Sequence, residues 1–134
     1  MEIASCGISV LDDLIGGGIS PGTSTLIDAD TMILKDAAFI ANQFLFDGLR
    51  NGNKCILILT NKLLDDVMSI YQHSPDRQEL FNNALNSNDL VILDAFTSII
   101  PGSNPVPGCV RVDPTNLQDL KKTSIETARK FNNT

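Results

Sequence analysis

Short runs of consecutive apolar residues alternate along this sequence with longer segments of helical periodicity, and this alternation constrains the fold more than any other feature. The runs lie at residues 25–28, 54–60 and 89–96. Each is apolar almost throughout rather than alternating, which is typical of strands covered on both faces of a parallel sheet. Strands separated by helices form βαβ units. The sequence therefore predicts an α/β fold with a mainly parallel sheet and flanking helices.

Four helices are predicted around these strands. The first spans residues 35–50, where a polar stripe lies opposite an apolar one, and the second spans residues 63–71. The third starts at Ser74, which precedes a proline. The last has Asp113 as its N-cap and Pro114 in its first turn. The face that the last helix is expected to bury consists of Leu117, Leu120, Ile125, Ala128 and Phe131.

Composition narrows the class of protein. The chain has 134 residues, of which 43% are hydrophobic and 19% charged, and this predicts one globular domain with a single core. A net charge of −6 with ten scattered basic residues argues against nucleic-acid binding by the isolated chain, because that binding depends on clustered Lys and Arg. No segment has the roughly 18 to 20 apolar residues of a membrane span, so no membrane partner is expected.

The cysteines indicate the compartment. Cys6, Cys55 and Cys109 are too widely spaced for paired zinc ligands, and an odd number does not suit a disulfide framework. They are interpreted as reduced thiols. The N-terminus also lacks the basic region and following apolar core of a secretory signal peptide. The sequence therefore predicts a cytoplasmic protein.

Several motifs follow one another in a fixed order along the chain. Residues 7–27 are GISVLDDLIGGGISPGTSTLI, and residues 43–59 are QFLFDGLRNGNKCILIL. A strand ending in Asp-Ala-Phe at residues 94–96 and a DPTNL segment at residues 113–117 come next. In order and spacing these motifs resemble the KaiC-like branch of the RecA superfamily of P-loop ATPases.

The resemblance covers nearly the whole chain and has consequences for its fold. It implies that residues 1–134 are the N-terminal portion of a RecA/KaiC-like domain with a RecA-like P-loop NTPase fold. In the family the Walker B strand comes later than Phe131, so the resemblance implies a sheet that is incomplete at the C-terminus. The glycines at residues 16–18, with Pro21 and Gly22, are interpreted as a tight connection before the first strand.

The phosphate loop of the family is altered. Active relatives carry G-x-x-x-x-G-K-(S/T), in which glycines let the backbone approach the phosphates and the lysine neutralises them. Counted forward from the first strand, Lys35 takes the lysine position, and the glycine and hydroxyl positions hold Ala29, Leu34 and Asp36. Counted back from Gln43, the register is two residues later, and its positions hold Thr31, Asp36, Ala37 and Ala38. Neither register restores the motif.

The negative charge at this loop also opposes the binding of phosphate. Asp28 and Asp30 would face phosphate oxygens, and one such repulsion at about 4 Å costs roughly 4 kcal/mol at an effective dielectric constant of 20. An alternative keeps a vestigial nucleotide site, in which Lys35 pairs with a phosphate of ATP and Asp36 ligates Mg²⁺. Lys35 and Asp36 are therefore the candidate cofactor-binding residues.

Catalytic groups are missing by the same comparison. The resemblance implies glutamates directly after the second strand, where this sequence has Asn61 and Lys62. Asp94 ends an apolar strand as a Walker B aspartate does, but by family order it belongs to an earlier strand. His73 has no carboxylate or cysteine at ligand spacing. The sequence predicts no catalytic residue and no metal site.

Two functions from different classes remain. The first is a catalytically inactive module with a binding, assembly or regulatory role, whose partner is an active RecA/KaiC-family ATPase or a second copy of itself. The alternative is a weak ATP-binding protein or ATPase of the KaiC/RadA type that uses Lys35. A truncated relative without a present function is the third reading.

Overall fold

The structure, a computed structural model, describes residues 3–28, 34–60, 66–67, 74–96 and 109–132. The chain divides into two compact units, Met1–Asn53 and Lys54–Thr134. The helices of the first unit are α1 (Ser9–Leu14) and α2 (Leu34–Arg50), and the elements of the second unit are β1 (Cys55–Leu59), α3 (Pro75–Asn86), β2 (Leu90–Asp94), β3 (Cys109–Arg111) and α4 (Leu117–Asn132).

The second unit contains a three-stranded parallel sheet in the order β1, β2, β3. In its register Ile58 lies level with Leu93, and Asp94 lies level with both Leu59 and Arg111. The predicted α/β class, the parallel sheet and the strands within 54–60 and 89–96 are confirmed. Strand β3 is an addition that the sequence analysis missed.

The core of the second unit lies on both faces of β2. Because side chains alternate along a strand, Leu90 and Ile92 point to one face and Leu93 and Ala95 to the other. All four are at most 1% exposed, as expected for a central parallel strand. On the second face, Leu120 of α4 packs against the cluster of Leu93, Ala95 and Val112.

The helices α2 and α3 end in the same kind of turn. After α2, the N–H of Asn53 donates to Gly48 O and that of Gly52 to Leu49 O, with Gly52 at φ +78°. After α3, Asp89 N–H donates to Ala84 O, and Asn88 has φ +61°. Both are Schellman motifs, in which a residue with positive φ stops the helix and satisfies its last carbonyls. They lead directly into β1 and β2.

One predicted strand is wrong, and so is the predicted start of the last helix. Residues 25–28 form no strand, and Leu26 is 89% exposed. Two adjacent apolar residues do not make a strand unless a neighbouring strand pairs with their backbone, and none does so among the described residues. The last helix is present but begins at Leu117, and the carboxylate of Asp113 accepts the N–H and the hydroxyl of Thr115 in a separate turn before it.

Helix α4 instead begins at Leu117, with Asn116 as its cap. Asn116 Oδ1 accepts the N–H of Asp119, and its main-chain oxygen accepts that of Leu120. The predicted buried face is also largely wrong, because Leu117 is 74% exposed and the buried residue of the helix is Thr127.

The remaining predictions have separate outcomes. Helix 35–50 is confirmed as α2 and the helix after Ser74 as α3. Of the helix predicted at 63–71, the structure describes residues 66–67, which are helical. None of the helices in the described parts of the chain combines the length and apolar character needed to span a bilayer.

Candidate functional site

The first of the ordered motifs, residues 7–27, is organised around the carboxylate of Asp12 in α1. It accepts the hydroxyl of Ser5 at 2.6 Å and the backbone N–H of Cys6 at 2.8 Å. Ser5 Oγ in turn accepts the N–H of Gly7 at 2.9 Å. The bonds from Cys6 and then Ser5 lower the pKa of the Asp12 carboxyl. Asp12 therefore holds the segment before α1 rather than presenting a free acid.

The first and second motifs meet at Gly7. Gly7 has φ +85°, and a Cβ atom built on it would lie 2.5 Å from the main-chain oxygen of Gln43 in α2. Only a glycine allows this approach without displacing the helix backbone. The two motifs are separate in the sequence, but their backbones contact each other within the first unit.

The glycine-rich connection after α1 is a turn, as predicted for residues 16–18. Gly18, at φ +137°, approaches the main-chain oxygen of Ala4, where Ala4 and Ile19 form an antiparallel bridge with bonds of 2.9 and 2.7 Å. Around Gly16 a Cβ atom would meet nothing within 4 Å. No strand follows this turn at residues 25–28.

The predicted nucleotide residues lie at the start of α2. The backbone of Lys35 and Asp36 is in the first turn of this helix, directly after Leu34. Their side chains lie outside what the structure describes, as do residues 29–33, where both proposed loop registers fall. Asn61, Lys62 and His73 also lie outside the described residues.

Asp94 occupies the position at the carboxyl end of the central strand where α/β proteins commonly place a functional side chain. It is 3% exposed, and its Oδ1 accepts the N–H of Phe96 at 3.0 Å. Its main-chain oxygen accepts the N–H of Val112 at 3.0 Å. Among the described residues no buried side-chain nitrogen or oxygen lacks a hydrogen-bond partner. The carboxylate of Asp94 shapes the turn that ends β2.

Next to Asp94 lies a thiol of low reactivity. Burial raises the pKa of Cys109 to about 11, and the negative charge of Asp94 contributes to the same shift. Burial also raises the pKa of Cys6 and of Cys55. A nucleophilic cysteine needs a depressed pKa, so these thiols are unsuited to that role.

A cavity of about 490 Å³ lies beside β1 in the second unit. It is lined by Lys54, Ile56, Ala128, Phe131 and Asn132. Lys54 Nζ lies 5.7 Å from the centroid of the Phe131 ring, within cation–π range. The sequence analysis missed this cavity because its walls come from two segments far apart in the chain, and no local pattern links them.

In the described part of the chain, no group of three or more His, Cys, Asp or Glu side chains is arranged to hold a metal ion. No family model, curated protein or solved structure matches the chain.

Proposed function

We propose that this chain is a RecA/KaiC-like module that does not turn over nucleotide and that serves as a binding or assembly element. Its partner is an active RecA-family ATPase or another copy of itself. The fold assignment within the α/β class is part of this proposal, and it rests on the ordered motifs and on the contact between Gly7 and Gln43.

The exposed apolar surface is the observation that carries the assembly role. Large apolar side chains between 41% and 89% exposed occur in both units. They are Ile3, Val10, Leu14, Ile15, Leu26, Ile27, Phe39, Phe44, Ile58, Val110, Leu117 and Ile125. Where such side chains are neighbours, as Leu14 and Ile15 or Leu26 and Ile27 are along the chain, they are candidates for a surface that binds another protein.

The lack of turnover is supported by how the acidic residues are used. Asp12 accepts bonds at both carboxylate oxygens and Asp94 is 3% exposed, so neither is positioned to activate a water molecule. A general base has to reach the proton that it removes. The substitution of Asn61 and Lys62 for the family's glutamates points in the same direction.

Weak ATP binding through Lys35 is the second candidate, and the position of Lys35 in the first turn of α2 favours it. The positive end of a helix attracts phosphate, which would add to the lysine's charge. We place the protein in the cytoplasm, because none of its three cysteines is in a disulfide.

Phosphate release from Mg²⁺·ATP by the full chain tests the proposal against its alternative. We expect a rate equal to that of buffer, unchanged by Lys35→Ala. Turnover that Lys35→Ala abolishes would establish the enzyme instead. In parallel, sedimentation at increasing protein concentration should give a mass that rises above 14.5 kDa.

A further inference from the structure

The outer edge of β1 has backbone groups that are available for pairing. Cys55 N–H donates to Asp89 O at 2.8 Å, and Leu59 O accepts the N–H of Ala95 at 2.9 Å, so both residues face β2. Successive residues of a strand direct their N–H and C=O groups to opposite sides. Ile56 and Ile58 therefore direct theirs away from β2, where no strand of the described residues pairs with them.

The side chains at this edge include an exposed isoleucine near a cavity with polar and apolar walls. Ile58 is 43% exposed, although it lies level with Leu93, which is fully buried. Ile56 and Ile58 point to the same face of the sheet, because they are two residues apart. The 490 Å³ cavity adjoins Ile56 on the α4 side. The edge thus presents a projecting side chain and, two residues away, a cavity.

We propose that β1 pairs antiparallel with β1 of a second copy, about a two-fold axis at Leu57. This inference rests on the assembly role proposed above and identifies the surface that performs it. An axis at Leu57 places Ile56 of each copy opposite Ile58 of the other. These are the residues whose backbone groups face outward, so each pair exchanges two hydrogen bonds. The two sheets become one continuous sheet.

The same register makes the side chains complementary. Residues directly opposite each other in an antiparallel pair share a face, so Ile58 of one copy lies beside Ile56 of the other and next to its cavity. Lys54 lies opposite Thr60, and no like charges face each other. Edge strands normally avoid such pairing with charged residues or proline, and residues 55–59 (CILIL) contain neither.

The size of the contact sets its strength. Two five-residue strands bury far less than the roughly 1,200 Å² of a standard stable interface. Since even interfaces of about 1,600 Å² can have a micromolar Kd, the dimer is weak, and it should form at protein concentrations on the order of 10 to 500 μM.

Analytical ultracentrifugation of the full chain and two variants tests the proposal. Ile58→Lys should weaken the dimer at least about tenfold, because a charge replaces the side chain at the interface. Val110→Lys is the matched control. Val110 is 41% exposed and pairs with Leu93 as Ile58 does, but it lies on β3, at the opposite edge of the sheet. It should leave the dimer unchanged. Circular dichroism and urea unfolding of both variants verify that they fold.

A cross-link tests the register while leaving Ile56 and Ile58 in place. Leu57 of the two copies would form a non-hydrogen-bonded pair with Cα atoms about 4.5 Å apart, which a disulfide can bridge. In a Cys55→Ala background, Leu57→Cys should form a disulfide-linked dimer under mild oxidation, identified by peptide mapping.

The outcomes separate this inference from the proposed function. Dimers that Ile58→Lys and Val110→Lys weaken equally, or that give no link through position 57, would overturn the β1 edge while leaving assembly intact. A chain that stays monomeric at all these concentrations would overturn the β1 pairing and the self-association. Phosphate release reports on catalytic silence in each case.

Discussion

Replacing Gly7 by alanine tests whether the first motif is structural. Gly7 and Gly16 have φ values of +85° and +86°, so an alanine at either position carries the same left-handed strain, about 1 to 2 kcal/mol. The lower entropy of the unfolded chain offsets roughly 0.4 to 1 kcal/mol of this. A Cβ atom at position 7 also meets Gln43 O at 2.5 Å, whereas at position 16 it meets nothing. Overpacking of this kind costs about 1 to 3 kcal/mol.

Gly7→Ala should therefore lower the free energy of unfolding by about 2 to 4 kcal/mol, and Gly16→Ala by about 1 kcal/mol. Urea unfolding of both variants, followed by circular dichroism, measures the difference between their free energies of unfolding. The backbone strain is the same in both and cancels in this difference. Equal losses in the two variants would refute the close approach of Gly7 to α2.

Two further predictions concern the second unit. Asn88 stops α3 at φ +61°, so Asn88→Ala should lower the free energy of unfolding by about 1 kcal/mol, whereas Asn88→Gly should leave it within a few tenths, both measured by urea unfolding. A destabilising Asn88→Gly would argue against the Schellman turn. Because the pKa of Cys109 is raised from 9.0 to about 11, the protonated thiol contributes stability that is complete below pH 9 and is lost as pH rises toward 11. In Cys109→Ala the urea midpoint should decrease less between pH 9 and pH 11 than in the unaltered chain. An equal decrease in both would contradict the raised pKa of Cys109.

Local signals predicted much of the fold. Unbroken apolar runs identified β1 and β2, and helical periodicity with a glycine stop identified α2. These elements are specified by residues close together in sequence, and the parallel sheet follows from their order. The Asn88 turn could also have been found, since asparagine after a helix is a known alternative to glycine.

Elements that depend on distant partners were not predictable. Residues 109–111 become a strand because β2 supplies a ladder, and three residues carry no pattern of their own. Asp113 and Pro114 have the sequence of a helix start, but they form a separate turn closed by the bond from Asn116 N–H to Asp113 O, and Asn116 caps the helix instead. The Gly7 contact and the cavity beside Lys54 likewise join segments that are far apart in sequence.

Direct titration of the full chain with a fluorescent ATP analogue and Mg²⁺ tests the central claim most directly. The account predicts no saturable binding up to about 1 mM, which corresponds to a binding free energy weaker than about 4 kcal/mol. Lys35→Ala and the exposed-lysine control Lys121→Ala should both behave like the unaltered chain. A micromolar Kd that Lys35→Ala abolishes and Lys121→Ala preserves would contradict the account and establish a nucleotide site at the start of α2.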